Sequence, residues 1–412
     1  MERRYELFLQ ALRCALGDRE APWGAEVDAE TVLQVLDLAQ EHHVLPLIFQ
    51  AVYKCPGAVE LAPEIYSECK QATIQTVMTQ TIKTEEFLEL YSHLLEQEVK
   101  PLVVKGIVCR SLYSQPDYRY SGDEDVFCGE AQFPACHSAM IQFGMEPGGP
   151  GLEPYEVPYR KAGSPLYIEL HKTLFARDHD VFSECNALFA DAFRRAVALE
   201  IHGQSVYTLC PTDHMLYLIV HALKHFLHSG FGIRQVCDMV LFANHYDSQI
   251  DWAYILEKCR ELQAEFFAAA LLQIGTKYLA DPAADAAWLE AWAHIEVDET
   301  DLLADLLYGG IYGSSDRSRV HSSNMTLNAA AADKRGKKAR GNVLRTIFPS
   351  ARSISGRFPY LRRHPYLLPV AWTCRIFGYA RESITDPNSA AAEVIRTGEH
   401  RIELLRQYHI ID

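Results

Sequence analysis

The sequence predicts an α+β protein in which a small mixed sheet is embedded in a largely helical chain. Short apolar runs at residues 102–104 and 126–128 flank a turn-rich segment, reading as strand, loop, strand. Residues 165–174 alternate, with Tyr167, Glu169 and His171 on one face of a strand and Ile168 and Leu170 on the other. On both sides of this region apolar residues recur at three- and four-residue intervals, the period of amphipathic helices. A chain of 412 residues with 49% apolar and 23% charged residues has the composition of an ordinary globular protein and the length of two or three subdomains.

Taken in order, residues 1–85 read as an N-terminal helical region. Tyr5, Phe8, Leu9, Leu12 and Leu16 form one stripe, and Val32, Val35, Leu36 and Ala39 form another behind a cap at Asp28. A third stripe begins near Ile65 and reaches Phe87, Leu90, Tyr91, Leu94 and Leu95. His42 and His43 at a helix end read as structural or exposed. Residues 86–205 form the α+β core. The strand at 102 passes through Lys105 and Gly106 into a helix expected to run to about Tyr113, and a second helix is expected over 134–143. A glycine- and proline-rich loop follows, and 155–161 then pairs with the strand carrying Glu169 as a hairpin. Residues 206–312 are helical, 313–345 read as a basic flexible linker, and 346–412 as a docking segment followed by helices.

Chemistry concentrates at the second apolar run. Side chains alternate along a strand, so Asp123 and Asp125 share one face and Glu124 takes the other. Two carboxylates roughly 7 Å apart can share hard divalent cations, as phosphoryl transfer requires, and Glu169 offers a third acid. A bare DxD is also what a solvated acidic turn looks like. Lys105 and a bare backbone at Gly106 would suit phosphate oxygens at a helix start, or simply make a tight turn. Arg119, four residues before Asp123, is placed to pair with that acid or to reach a phosphate.

A second candidate is the histidine-rich helix. His214, His221, His225 and His228 fall near one helical face, and the i, i+4 pair His221 and His225 can ligate zinc, although no HExxH glutamate accompanies them. Arg234 and Asp238 stand at ion-pair spacing on the next helix.

Taken as a set, Lys105, Gly106, Leu112, Tyr113, Pro116, Arg119, Gly122, Asp123 and Asp125, then Glu169, Leu170 and His171, then His221, Ala222, His225 and Asp238, resemble a bacterial nucleotidyltransferase family of the DNA polymerase beta-like superfamily, an uncharacterised branch with KG and DxD motifs. The resemblance covers roughly residues 30–245 and, more weakly, the tract FPYLRRHPYLLPVAW. It implies a polymerase beta-like core and transfer of a nucleoside monophosphate from an NTP to an acceptor hydroxyl, with release of pyrophosphate. It further implies two Mg²⁺ (or Mn²⁺) ions on Asp123, Asp125 and Glu169, phosphate binding by Lys105, Gly106 and Arg119, and supporting places for His171, His221, His225 and Asp238. Two departures stand out: Glu124 occupies a usually apolar position, and the spacing from Gly106 to Asp123 is long. An inactive nucleotide-binding or interaction protein on the same fold, and a zinc hydrolase built on His221 and His225, are the rival functions.

The net charge of −15 argues against a nucleic-acid binder as a whole and against sequence-specific DNA recognition. Residues 317–363 run the other way, with twelve Lys and Arg against the single acid Asp333, and read as a solvated connection, a lid over nucleotide or an arm for an RNA acceptor. Eleven cysteines without a CxxC pair fit reduced thiols in the cytoplasm. No apolar run reaches the roughly 18 residues of a membrane span. The acceptor, whether small molecule, protein or RNA, is not encoded in any motif.

Overall fold

The computed structural model describes residues 1–148, 155–177, 182–228, 230–283, 286–309, 323, 325–327, 329–331, 333, 351, 354, 358–374 and 391–412. The chain divides into two compact units. One comprises Met1–Ile219, Arg234–Ile255 and Leu271–His294, and the other Val220–Ile233, Leu256–Ala270 and Ile295–Asp412.

In the first unit, helices α1 (Arg3–Leu16), α2 (Ala29–Glu41), α3 (Leu45–Val52), α4 (Pro56–Val59) and α5 (Pro63–Glu96) precede the sheet. Asp28 caps α2 as its sequence position suggests, accepting from the amide of Thr31 at 2.9 Å. His42 is fully buried against Phe8, with ring centroids 5.2 Å apart, and plays a structural part. Helix α5 buries Phe87, Leu88, Leu90, Tyr91 and Leu94 against the sheet.

The sheet is built from β1 (Leu102–Val103), β2 (Glu124–Phe127), β3 (Glu146–Pro147), β4 (Glu156–Arg160) and β5 (Tyr167–His171), with helix α6 (Ile107–Arg110) after β1 and α7 (Gly129–Gln142) after β2. Its order is β1-β2-β5-β4-β3, with β2 and β5 parallel and the other neighbours antiparallel, so the sheet is mixed. Val103, Val126, Val157, Tyr159, Ile168 and Leu170 point into one core beneath α5 and α7, each aliphatic side chain contributing on the order of 1.5–3 kcal/mol by burial.

Two elements depart from the sequence expectation. The helix expected from Gly106 to Tyr113 is a single turn, α6. The chain after α8 (Ala192–Arg195) forms a separate hairpin of β6 (Val197–Ile201) and β7 (Gln204–Thr208). His202 (φ 49°) and Gly203 (φ 77°) make its two-residue turn, the positive-φ pair that matches strand twist. Helices α9 (Pro211–His228), α10 (Ile233–Tyr246), α11 (Trp252–Glu261), α12 (Glu265–Ile274), α13 (Ala287–Trp292) and α14 (Thr300–Gly309) follow.

In the second unit Arg401, on the helix Ala391–Gln407, is buried and donates to the carbonyls of Phe226 and His228. Most of the basic stretch from 317 to 345 lies outside the described residues, as does the turn of the loop at 149–154. All eleven cysteines are free thiols. Among the described residues no helix is long and apolar enough to cross a membrane.

The phenol of Tyr91 joins helix, strand entry and hairpin, donating to the carbonyl of Pro101 at 2.7 Å and accepting from the amide of Tyr207 at 2.9 Å. Tyr91→Phe strands both backbone groups. We expect a loss of about 1–3 kcal/mol in denaturant unfolding of the full chain, with helical content unchanged by circular dichroism.

Candidate active site

Alternation along β2, β5 and β4 separates a core face from a polar face. Parallel register places Asp125 beside Glu169 and Phe127 beside His171, and antiparallel register places Glu156 beside His171 and Arg160 beside Tyr167. Because partners in register share a face, Asp125, Glu169, His171 and Glu156 converge on the side away from the apolar core. Asp123 stands one residue ahead of β2, half-buried, with its carbonyl accepting from the Ser121 hydroxyl at 2.7 Å.

Ligand atoms of Asp125, Glu169 and His171 lie within 4.8 Å of one another, the one group of three or more potential metal ligands among the described residues. His171 approaches Asp125 Oδ1 through Nε2 at 2.9 Å, while its Nδ1 lies 3.5 Å from Glu156 Oε2. The imidazole therefore bridges two acids and fixes how Asp125 presents its carboxylate. Lys105 comes in from the end of β1, its ammonium 3.8 Å from Asp125 Oδ2.

The electrostatics are those of crowded carboxylates. Burial, and after it the charges of Asp125, Asp123 and Glu156, push Glu169 up to about 8. Burial acts to lower His171, but its hydrogen bond to Asp125 and the surrounding acids outweigh that and hold it above its ordinary value. Such a cluster relieves its repulsion either by keeping a proton or by binding a cation. The buried oxygen donors suit a hard divalent ion.

Glu124 explains the turn on the other side of β2. Its side chain is fully buried, accepting from the Ile107 amide at 2.6 Å and from Arg110 Nη2 at 2.9 Å, with Lys83 of α5 at 3.5 Å. Gln80 completes the cluster, accepting from Arg110 Nη1 at 2.6 Å and donating to the Ser121 carbonyl. Gly106 (φ 58°) packs so closely that a Cβ there would lie 1.8 Å from Glu124 Oε2. Gly106 is thus required by the turn and by this carboxylate, and the first amide of α6 is committed to Glu124, not open to a phosphate. Nothing in the sequence pairs Lys83, Gln80 and Arg110 with an acid fourteen or more residues away. The one available signal was an acid where strand alternation demanded an apolar side chain.

Arg119 also lies otherwise than expected. Only 1% exposed, it forms a two-pronged ion pair with Asp238, Nε to Oδ1 at 2.9 Å and Nη2 to Oδ2 at 2.6 Å, and Tyr113 donates to the same Oδ1 at 2.8 Å. Its guanidinium turns inward, away from Asp123 and from solvent. Arg234 donates to the Tyr120 carbonyl. The matched residues Tyr113, Arg119 and Asp238 therefore form one buried clamp that holds α10 to the segment leading into β2.

The histidine helix does not present one ligand face. His214 is fully buried, 3.1 Å from the Thr208 hydroxyl, and burial pushes it down to about 4, which keeps it neutral. His221 and His225 bring their Nε2 atoms to 3.2 Å. No third potential ligand joins them among the described residues.

Burial acts to raise Asp238, but Arg119 prevails and holds the carboxyl below its ordinary value. A depressed acid stabilises the fold above its unfolded pKa of about 4, and that contribution fades as pH falls through the lower folded value. Asp238→Asn should therefore cost about 3–5 kcal/mol at pH 7, because Arg119 is left buried and unpaired. It should also flatten the acid limb of stability against pH, followed by thermal unfolding from pH 7 to pH 3.

Comparison with known proteins follows from this geometry. No curated protein and no solved structure matches the chain. A family model described as an uncharacterised nucleotidyltransferase matches residues 28–280, which contain the whole sheet, the acid cluster and the Arg119–Asp238 clamp. With more than half of its length matched, the chain belongs to this uncharacterised nucleotidyltransferase family.

Proposed function

We propose that the protein transfers a nucleoside monophosphate from an NTP to an acceptor hydroxyl at the face carrying Asp123, Asp125 and Glu169. The observation that carries this reading is the parallel register of Asp125 with Glu169, which sets two acids side by side, with Asp123 ahead of them and Lys105 at their edge. The family match supports the same chemistry in general terms.

Asp123, Asp125 and Glu169 would hold two Mg²⁺ ions, and the repulsion that raises Glu169 is the physical reason they would accept them. A divalent cation bound there supplies positive charge against the charge that develops on the phosphoryl oxygens. His171 orients Asp125 through its 2.9 Å contact. Lys105 contributes positive charge toward the β- and γ-phosphates, whereas Arg119 acts through Asp238 as a buried brace. The acceptor oxygen forms its bond to the α-phosphorus as the bond to the bridging oxygen breaks. Pyrophosphate leaves with the electron pair, and the acceptor proton passes to the deprotonated carboxylate of Glu169, in register beside Asp125.

Glu124, the departure that favoured an inactive relative, points into the core and leaves the acid face unobstructed.

Incubation with Mg²⁺ and each α-labelled NTP in host lysate should transfer label. Asp123→Asn, Asp125→Asn and Glu169→Gln should each lower turnover by about 10²–10⁴-fold without altering unfolding temperature by more than a few degrees. NTP binding by calorimetry without transferred label from the unmodified protein would favour the inactive reading. Because Glu169 must lose its proton to bind a cation, Mg²⁺ affinity should rise by up to about ten-fold per pH unit below pH 8 and level off above it. Proton release on titration in buffers of different ionisation enthalpy measures this directly.

A further inference from the structure

In-line transfer puts the triphosphate and the acceptor on opposite sides of the reacting phosphorus. The sheet provides two such sides. In the order β1-β2-β5-β4-β3, Lys105 follows β1 on one flank of the acids, while Arg160 stands on β4 at the other. Arg160 is in register with Tyr167, and its guanidinium carbon sits 5.0 Å from the centre of that ring. Tyr167 lies two residues before Glu169 on the same face, and the charges of Glu169 and Asp123 both bear on its phenol.

Arg160 is exposed, and among the described residues the tyrosine ring is its one partner. Glu146 stands across from it on β3 without forming an ion pair. A guanidinium laid over an aromatic ring keeps its edge donors free for a planar, two-pronged contact with an oxyanion. On a face that also carries Asp125, Glu169, Glu156 and His171, Arg160 is the one Lys or Arg of strands β2, β4 and β5.

We propose that Arg160 and Tyr167 form the acceptor subsite, and that the acceptor is a small alcohol carrying an oxyanion, phosphate or carboxylate, near its reactive hydroxyl. This rests on the nucleotidyl-transfer reading. Arg160 binds the oxyanion, and the hydroxyl then lies over Glu169, which takes its proton. The chain's net charge of −15 makes a small anion a better fit than a polyanionic strand.

The test titrates inorganic phosphate and, separately, acetate onto the full-length chain saturated with Mg²⁺ and a non-hydrolysable NTP analogue, so that triphosphate contacts are already filled. We expect one of these anions to bind, Arg160→Ala to weaken it about ten-fold or more, and Arg160→Lys to retain part of the affinity. Tyr167→Phe should preserve binding and Tyr167→Ala should weaken it, since the ring is the platform. Which anion binds more tightly tells a phosphate-bearing acceptor from a carboxylate-bearing one. Anion binding that is absent or indifferent to Arg160 would overturn the proposal. So would an Arg160→Ala variant that loses the NTP analogue in place of the anion, because Arg160 would then belong to the triphosphate. If the analogue does not bind the unmodified protein, the nucleotidyl-transfer reading fails, while Arg160-dependent anion binding is still read by the same titration.

Discussion

The buried carboxylate of Glu124 is the interaction on which the arrangement of the site rests. It receives the Ile107 amide, the Arg110 guanidinium and the nearby Lys83 ammonium, joining the turn after β1, the single helical turn α6 and the long helix α5 to one point on β2. Removing it would leave two cations in the interior without their counter-ion, which costs several kcal/mol. Because side chains alternate along a strand, fixing Glu124 inward also fixes Asp125 outward. The acid that breaks the apolar pattern is what orients Asp125 beside it.

A second buried pair does the same for the approach to β2. Arg119 and Asp238 are both about 1% exposed, and their two-pronged contact ties α10 to the stretch just before the acids. The long spacing between Gly106 and Asp123 is thereby accounted for. That segment includes α6, then Tyr113 and Arg119, and it is pinned at Glu124 on one side and Asp238 on the other. Both clamps are buried, and the polar face of the sheet carries Asp125, Glu169, Glu156, His171, Tyr167 and Arg160, with Lys105 beside Asp125.

Much of this was legible in the sequence because it depends on local periodicity. The alternation around Glu169 gives which residues of β5 share a face, and register brings Asp125 beside Glu169, whereas Asp123 stands just outside β2. The apolar stripes of the N-terminal helices and the Asp28 cap followed from spacing in the same way. Long-range partners were not legible. Arg119 meets Asp238 across 119 residues and Arg110 meets Gln80 across 30, and no local pattern encodes either pairing. The helix after Gly106 is a single turn, with Arg110 and Tyr113 drawn into contacts with Glu124 and Asp238 that no local pattern encodes. The β6–β7 hairpin carried a readable signal in His202 and Gly203 between alternating residues.

The parallel pairing of β2 and β5 has one more consequence. Parallel neighbours cannot be joined by a tight turn, so the chain between them must leave the sheet edge and return, and here it does so through α7, β3 and β4. The separation of Asp125 from Glu169 is set by their ladder and not by the length of that excursion. Turns within the excursion can therefore lengthen, shorten or diverge while the two acids stay in place.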